Sequence, residues 1–396
     1  MRIAYVTETF PPEINGVSLT VDRTVRHLRS AGHAVQLVRP RQPGEAARRD
    51  SREWRCGGGP LPMYPSLRYG WARPDALRAL WREEGGGLPD LVHVATPGPL
   101  GWAALRAARA EGVGTSADFR ANFADHAGHY GFGWARPLVM NYLRRLHHMA
   151  DRNFVPTPEL ARELAGRGFE RLEVLGRGVD TQLFSPDRRD PWLRREWRAL
   201  PHNPVLLHVG RLAPEKNAGL ALQTFERLSA RRPGLRMVVV GDGPLRARLE
   251  RAHPAACFVG MQTGVALARL YASADVFLFP SLADSFGNVT LEALASGLAV
   301  AAFDTGAAAR HVRDGVSGCL APPCEGQDAG DAFLAAAERA LAHAAPHALL
   351  RHEARQAACQ APWGDVLARF EQQLRQLAEP APEARPAAAL PQAAAA

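Results

Sequence analysis

Long hydrophobic runs are absent from this chain of 396 residues. A transmembrane helix needs roughly 20 consecutive apolar residues, and no stretch reaches even about 18. The N-terminal segment Met1–Thr7 also lacks the successive basic, apolar and small-residue zones of a signal peptide. Its pattern predicts a first β-strand instead. We therefore expect a cytoplasmic protein without a membrane span.

Cysteine is scarce and scattered, with five residues and no CxxC pair. This odd number predicts neither a disulfide framework nor a zinc site. The formal net charge of +8 favours an acidic partner. It leaves open a merely arginine-rich surface, a phosphate-bearing substrate or an anionic membrane. No nucleic-acid reader motif or basic-aromatic stacking pattern occurs, so we expect no nucleic-acid partner.

Short apolar runs alternate with amphipathic stretches along the whole chain, which predicts α/β architecture with doubly wound parallel sheets. The chain length suits two domains, and the turn-rich segment around Gly178–Asp190 marks the boundary between them. We predict an N-terminal Rossmann-like domain over residues 1–185 and a C-terminal one over 186–360. A helix over 361–378 then packs back on the first domain, and the Pro/Ala-rich tail 379–396 is disordered. Ligands of such folds bind at the carboxyl ends of the strands, here across an interdomain cleft.

Periodicity also predicts individual elements. A helix carries Val17, Val21, Val25 and Leu28 and stops at Gly32, and Thr157 caps another helix. The segment Arg41–Pro62, rich in Arg, Gly and Pro, predicts a long mobile loop. The predicted strands are Ile3–Val6, Ala34–Val38, Leu91–Ala95, Val205–Val209, Met237–Val240, Cys257–Val259, Val276–Phe279 and Ala299–Ala302.

Two cations follow the first buried strand of the second domain. Arg211 and Lys216 lie five residues apart in a loop that begins at Gly210. A guanidinium offers a planar fork of donors and an ammonium a compact charge, so together they suit a diphosphate. Gly241 and Gly243 flank a later strand-to-helix turn. They do not form GxGxxG, which argues against a dinucleotide-dependent dehydrogenase.

Two carboxylates eight positions apart flank another strand-to-helix turn. Asp284 lies in the loop, Gly287 permits close backbone approach, and Glu292 lies one to two turns into the helix. A helix N-terminus at this point would offer N–H groups to an anion. Apolar residues surround Glu292 in the sequence, and a carboxylate in such surroundings needs a partner. We expect the two carboxylates to hold different sugars, namely a transferred hexose and a ribose.

Five blocks together resemble the retaining glycosyltransferases of family 4, which have the GT-B fold of two Rossmann-like domains facing across a cleft. The resemblance runs from Met1 to about Leu377. Within this family, the sequence most resembles bacterial GDP-mannose-dependent α-mannosyltransferases and sulfoquinovosyl and diacylglycerol glycosyltransferases. The blocks are Thr7–Ser18, Gly178–Thr181, Gly210–Lys216, Gly241–Pro244 and the E-x7-E-like segment from Asp284 to Glu292.

The resemblance implies transfer of a hexose, mannose or glucose, from GDP-mannose or a UDP-hexose to a lipid or saccharide acceptor of the cell envelope. It implies retention of configuration and no cofactor or metal. Arg211, Lys216 and Asp284 would be catalytic. The donor would contact a larger set, with Gly16 at its diphosphate, Glu292 at its ribose and Gly260 and Met261 at its base. The remaining donor contacts would be Gly210, Ser285, Phe286, Gly287 and Asn288.

Two positions depart from the family pattern. Asp284 replaces the first glutamate of the motif with a shorter carboxylate. Arg120 stands where relatives often carry histidine, and arginine cannot act as a base at neutral pH. Arg120, Asn122 and His126 are the acceptor-side candidates. These departures keep open an alternative: a nucleotide-sugar-binding partner protein without turnover.

A basic amphipathic stretch begins at Gly133. One face of the predicted helix carries Leu138, Tyr142, Leu146 and Met149. Polar residues lie elsewhere around the helix, namely Arg144, Arg145, His147 and His148. Such a helix is typical either of core packing with a solvated basic face or of contact with anionic lipid. The second reading predicts a peripheral protein on the inner face of the membrane.

Overall fold

The computed structural model describes residues 1–13, 15–61, 64–84, 87–119, 136–281, 287–324, 327–345 and 348–379. It contains two sheets, which confirms the predicted α/β class. The first sheet has eight strands in the order β4-β3-β2-β1-β5-β6-β7-β8. Its strands are β1 (Arg2–Val6), β2 (Ala34–Pro40), β3 (Glu53–Leu61), β4 (Tyr64–Trp71), β5 (Leu91–Val94), β6 (Gly114–Asp118), β7 (Arg152–Val155) and β8 (Leu172–Val174).

The second sheet has six strands in the order β11-β10-β9-β12-β13-β14, and its registered pairs are all parallel. All five residues of its central strand are buried, as expected for a parallel strand covered on both faces. Its strands are β9 (Val205–Val209), β10 (Arg236–Val240), β11 (Cys257–Gly260), β12 (Val276–Phe279), β13 (Ala299–Phe303) and β14 (Cys319–Ala321).

Helices connect the strands of both sheets. The described α-helices are α1 (Gly16–Ser30), α2 (Pro74–Ala79), α3 (Pro99–Ala110), α4 (Arg136–His148), α5 (Pro158–Gly166), α6 (Pro191–Glu196), α7 (Ala218–Ser229), α8 (Arg246–Ala252), α9 (Gly264–Ser273), α10 (Asn288–Ala295), α11 (Gly306–His311), α12 (Gln327–Ala342), α13 (Leu349–Cys359) and α14 (Trp363–Ala378). Gly32 stops α1 at φ 83°, and the Thr157 hydroxyl caps α5 by accepting from the Leu160 N–H at 3.1 Å. Both predictions are confirmed. No helix in the described part of the chain is both long and apolar enough to cross a membrane.

The prediction of one long loop over Arg41–Pro62 is wrong at its C-terminal end. Residues Glu53–Leu61 form β3, which pairs parallel to β2 and antiparallel to β4. At Gly58 an added Cβ would lie 2.1 Å from the Tyr69 carbonyl oxygen. Glycine therefore allows close backbone pairing here, and tertiary packing overrides its low strand propensity.

Helix α4 differs in part from its sequence prediction. Leu146 is fully buried, but Leu138 and Tyr142 are 66% and 36% exposed. His147 was predicted on the polar part of the surface and is instead buried, with Nδ1 2.8 Å from Oδ1 of Asn153. The histidine turns inward because β7 supplies a polar partner there.

The chain passes between the two sheets twice. Residues 175–204 lead from the first to the second, and α14 returns to pack Phe370 and Leu374 into a core with Ile3 and Tyr5. At the return, the Val179 N–H donates to the Ala361 carbonyl at 2.9 Å. The tail 380–396 lies outside the described residues.

Candidate active site

Three strand-to-helix loops of the second sheet are joined at the carboxyl ends of β9, β10 and β11. The Gly210 N–H donates to the Val240 carbonyl at 3.0 Å, and the Gly241 N–H donates to the Gly260 carbonyl at 2.8 Å. Gly241 has φ 134°, and a Cβ there would lie 1.9 Å from the Gly210 carbonyl oxygen. The loops therefore pack too closely for a side chain at Gly241, which has Gly210 on one side and Gly260 on the other.

Arg211 and Lys216 lie on one loop, which contains a 3₁₀ turn over Pro214–Lys216. The turn ends at Asn217, whose left-handed backbone (φ 51°) starts α7. Its Nδ2 donates to the Pro280 carbonyl at 3.4 Å, and the Ser281 hydroxyl donates to the Glu215 carbonyl at 3.2 Å. The loop that carries both cations is thus tied to the end of β12.

Each cation has a distinct neighbour. Nη1 of Arg211 lies 3.9 Å from Oε1 of Glu215, whose side chain is only 6% exposed, and the Arg211 side chain is 40% exposed. Nζ of Lys216 lies 5.6 Å from the centre of the Phe279 ring, within the range of a cation–π contact. Arg211 is therefore partly exposed beside a buried carboxylate, and Lys216 packs against an aromatic ring.

His208 is a buried residue of this site that the sequence interpretation missed, because it lies inside an apolar strand. Its Nδ1 is 2.9 Å from the Leu278 carbonyl, which only accepts, so Nδ1 carries the proton. Burial, with a smaller contribution from the charge of Lys216, lowers the pKa of His208 to about 4, although the hydrogen bond to Leu278 opposes the change. The ring is therefore neutral at pH 7.

The N-terminus of α10 borders the same edge. Gly287 precedes it at φ 72° and ψ 15°, and a Cβ there would lie 2.6 Å from the Cβ of Ala307. Gly287 has no side chain to cap the helix, so the first N–H groups of α10 face the loop. Glu292 lies in the second turn and is partly buried. Oδ1 of Asn288 is buried and has no hydrogen-bond partner among the described residues.

The remaining predicted site residues fall into two groups. Gly260, with φ 73°, is the last residue of β11, and Met261 follows it and is 44% exposed at the same sheet edge. The others lie outside the described residues; they are Arg120, Asn122, His126, Asp284, Ser285 and Phe286. The described residues contain no group of three or more His, Cys, Asp or Glu side chains placed to bind a metal ion.

The first domain meets this edge at Gly16, the first residue of α1. Gly16 is exposed, and a Cβ there would lie 3.5 Å from Nδ2 of Asn288. The preceding Asn15 caps α1 by accepting from the N–H groups of Val17 at 3.0 Å and Ser18 at 2.8 Å. The structure thus brings Gly16 and Asn288 together across the two domains.

A second missed residue is Glu8, which follows β1. Its Oε1 accepts from the N–H groups of Leu100 at 3.1 Å and Gly70 at 3.3 Å. Burial raises the pKa of Glu8 to about 7, although these two hydrogen bonds oppose the rise. The sequence shows a polar Thr-Glu-Thr run at this point and gives no sign that the middle residue is buried.

The two halves of the chain match two family models. Residues 14–183 match the model described as Glycosyltransferase Family 4, and residues 203–343 match the model described as Glycosyl transferases group 1. A GDP-mannose-dependent alpha-mannosyltransferase of Mycolicibacterium smegmatis is 39% identical, over 77% of this chain and 80% of that protein. The protein of the same name from Mycobacterium tuberculosis is 38% identical, over 81% of this chain and 84% of that protein.

Solved structures share the two-domain architecture at lower identity. Sucrose-phosphate synthase from Thermosynechococcus elongatus has a TM-score of 0.76 at 19% identity, over 95% of this chain and 99% of that chain. WaaG, a glycosyltransferase involved in lipopolysaccharide biosynthesis, has a TM-score of 0.66 at 14% identity, over 94% of this chain and 99% of that chain. At these identities the likeness shows the fold alone.

Proposed function

Because the chain belongs to the GT-B glycosyltransferases of family 4, we propose that it transfers mannose from GDP-mannose to a lipid or saccharide acceptor. That the protein is a glycosyltransferase follows from the family. The choice of donor is supported by relatives named GDP-mannose-dependent alpha-mannosyltransferase. The observation that carries the proposal is the pair of cations, Arg211 and Lys216, on a loop fixed at the carboxyl edge of the second sheet.

In the proposed reaction the bond between the anomeric carbon and the diphosphate oxygen breaks. Negative charge then develops on the diphosphate, where Arg211 and Lys216 stabilise it. The first N–H groups of α10 add a positive end of a helix dipole. Glu292 binds the ribose hydroxyls, and Gly16 leaves room for the diphosphate on the side of the first domain.

The acceptor hydroxyl attacks the sugar on the face from which the diphosphate leaves, so the α configuration is retained. Its proton passes to the departing phosphate oxygen, which removes the need for a protein base. The two fixed cations do the work that a divalent metal does in other transferases. Asp284, the shortened carboxylate of the motif, is the residue we propose to contact the hexose.

Release of the nucleoside diphosphate by the purified protein, GDP or UDP according to the donor, tests this proposal. GDP-mannose, UDP-glucose, UDP-galactose and UDP-GlcNAc are each incubated with and without a total lipid extract as acceptor source. We expect acceptor-dependent GDP release from GDP-mannose to be faster than UDP release from any of the UDP-sugars, with an α-linked product and no loss of rate in EDTA. Faster turnover of a UDP-sugar would overturn the donor, and EDTA inhibition would overturn the metal-free mechanism. Tight donor binding without turnover would instead support a partner protein.

Helix α4 supports a further part of the proposal, contact with an anionic membrane. It exposes Leu138 and Tyr142 together with Arg144 and Arg145, so apolar and basic groups are available to one surface. We expect co-sedimentation with phosphatidylglycerol vesicles at least fivefold above that with phosphatidylcholine vesicles. The R144Q/R145Q variant should lose this preference, and the control Arg106→Gln, on α3, should keep it. Equal sedimentation with both vesicles would contradict membrane contact through this helix.

A further inference from the structure

A cavity of about 510 Å³ lies at the amino ends of β1 and β2. Arg2, Ala34 and Trp81 are among the residues that line it. In a parallel sheet the ligand-binding loops gather at the carboxyl ends. The cavity is therefore at the opposite edge of the first sheet from Gly16 and the cleft, and the glycosyl transfer proposed above does not use it.

The charged side chains that line the cavity are arginines. Arg2, Arg29 and Arg52 line it, and no acidic residue is among the described residues of its lining. Arg2 has Asp90 at 3.9 Å. Within the described ranges, Arg29 and Arg52 have no carboxylate within ion-pair distance. An excess of guanidinium groups in one concave place favours an anion.

The geometry of Arg29 prepares it for such a ligand. Its Nη2 donates to the Val35 carbonyl at 3.1 Å and to the Arg52 carbonyl at 3.2 Å. These two bonds fix the guanidinium plane and leave its other N–H groups for a further acceptor. Burial lowers the pKa of Arg29, and so do the charges of Arg52 and Arg48, against an opposing effect of Glu53.

Trp81 forms an apolar wall of the cavity. It is only 1% exposed and lines the cavity. Its Nε1 is buried and has no acceptor within the part of the chain that the structure describes. Trp81 therefore supplies packing surface, and the polar contacts to a ligand would come from the arginines.

We propose that the cavity binds a small phosphate-bearing molecule. The forks of Arg29 and Arg52 hold the phosphate oxygens in the geometry that guanidinium groups favour. Arg2 closes the positive side, and Trp81 forms an apolar wall. The volume lies within the range of small-molecule sites, roughly 300–1,000 Å³, and so accommodates a phosphorylated metabolite.

The site borders the helix that returns from the second domain. His33 lines the cavity, and its Nε2 lies 3.0 Å from Oε1 of Glu371 in α14. A ligand beside His33 therefore contacts a residue that holds α14 on the first domain. We expect binding to slow hydrogen exchange in Trp363–Ala378, in addition to the last turn of α1.

Calorimetric titration with inorganic phosphate and with glucose 6-phosphate, in the presence of excess GDP to fill the donor site, tests the proposal. The wild type and the control Arg26→Gln, one turn earlier on α1, should bind glucose 6-phosphate equally. The R29Q/R52Q variant should bind at least tenfold more weakly. Unchanged affinity in that variant would overturn the site.

Single variants test the same site if the R29Q/R52Q variant is unstable. Arg52→Gln and Arg29→Gln each alter one exposed side chain and leave the other arginine in place. Each should weaken glucose 6-phosphate binding at least threefold with an unchanged circular dichroism spectrum. Wild-type affinity in both would refute the proposal. Phosphatidylglycerol vesicles form the last arm: binding of vesicles that depends on Arg29 and Arg52, with no binding of soluble phosphate, would reject a metabolite in favour of a lipid headgroup.

Discussion

At the scale of single residues, the edge of the second sheet that carries Arg211 and Lys216 combines partly exposed cations with a neutral, buried histidine. His208 remains uncharged because burial and Lys216 both lower its pKa. A protonated imidazole there would repel the ammonium group at low effective dielectric. The neutral ring of His208 and the Phe279 ring, whose centre lies 5.6 Å from Nζ, therefore give Lys216 surroundings without a repelling charge.

Lys216→Ala should therefore lower kcat for glycosyl transfer by about 10²–10³-fold, the usual effect of removing one group that stabilises transition-state charge. The melting temperature should change little, because Lys216 is partly exposed and lies outside the buried core. Steady-state GDP release and thermal denaturation measure the two effects. Arg227→Ala, on the exposed side of α7, is the matched control and should retain full activity. A kcat near that of the wild type would remove Lys216 from the mechanism.

Glu8 gives a prediction about pH. Its pKa is raised from 4.5 to about 7, mainly by burial, so the folded protein keeps a proton that the unfolded chain has lost. The stability due to this proton is complete below about pH 4.5 and is lost as the pH rises through 7. Since one unit of pKa corresponds to about 1.4 kcal/mol, the loss is on the order of 3 kcal/mol.

Glu8→Gln should abolish this loss, because an amide keeps an acceptor for Leu100 and Gly70 and does not ionise. Urea unfolding from pH 4.5 to 8 should show the variant gaining stability relative to the wild type as the pH rises. The control Glu163→Gln, on α5 and 43% exposed, should follow the wild-type profile. Parallel profiles for Glu8→Gln and the wild type would show that Glu8 ionises normally.

The candidate residues that the sequence predicted and the buried residues that it did not predict differ in their local sequence surroundings. Arg211 and Lys216 stand in a loop after an apolar strand, where a charge has few structural uses. His208 and Glu8 belong to segments whose neighbours give no warning, and only the packed structure shows that they are buried and which backbone groups they bind. Burial of a single polar side chain depends on contacts distant in sequence, so local patterns do not predict it.

At the scale of elements, α14 is held to the first domain by a charged cluster as well as by its apolar face. Glu371 lies 3.1 Å from Nε2 of His27 and 3.0 Å from Nε2 of His33, and Arg375 donates to it at 2.6 Å. Although burial opposes the change, hydrogen bonds from Arg375 and His33 lower the pKa of Glu371 to about 2. The cluster therefore anchors the helix wherever the carboxylate is ionised.

Glu371→Gln should loosen α14 by about 1–3 kcal/mol at pH 7, the usual cost of losing hydrogen bonds to a charged group. This contribution is complete above about pH 4.5 and disappears as the pH falls towards 2, so the variant and the wild type should converge in acid. Hydrogen exchange of Trp363–Ala378 measures the effect. Asp365→Asn, on the same helix and exposed, should change stability by less than about 1 kcal/mol. Equal exchange at pH 7 would show that the cluster does not hold the helix.

Element prediction succeeded where one pattern dominated. Val205–Val209 is apolar throughout and forms a central strand, and the alternation of strands and helices gave the class of the fold. It failed at β3, where Gly57, Gly58 and Gly59 suggested a loop. There, hydrogen bonding to the partner strands β2 and β4 determines the conformation. The composition of a short segment does not predict such pairing with strands distant in sequence.

At the scale of the whole molecule, we expect donor binding to depend on how closely the two domains approach. Gly16 and Asn288 form the contact between α1 and α10, with a space of 3.5 Å between an ideal Cβ and Nδ2. That separation is ordinary van der Waals contact, so one methyl group fits and a larger side chain does not. The backbone at Gly16 is helical, so a side chain there brings no strain of its own.

A pair of substitutions at Gly16 therefore separates interdomain approach from folding. Gly16→Phe should hold the two domains apart, raise the KM for the donor and lower kcat at least tenfold, because misplacing charged groups by about 1 Å costs up to 10² in rate. Gly16→Ala is the matched control and should keep most of the wild-type activity. Both variants should melt within a few degrees of the wild type, since position 16 is exposed and alanine or phenylalanine favours a helix over glycine. Full activity in Gly16→Phe would mean that the contact with Asn288 is not part of the working enzyme.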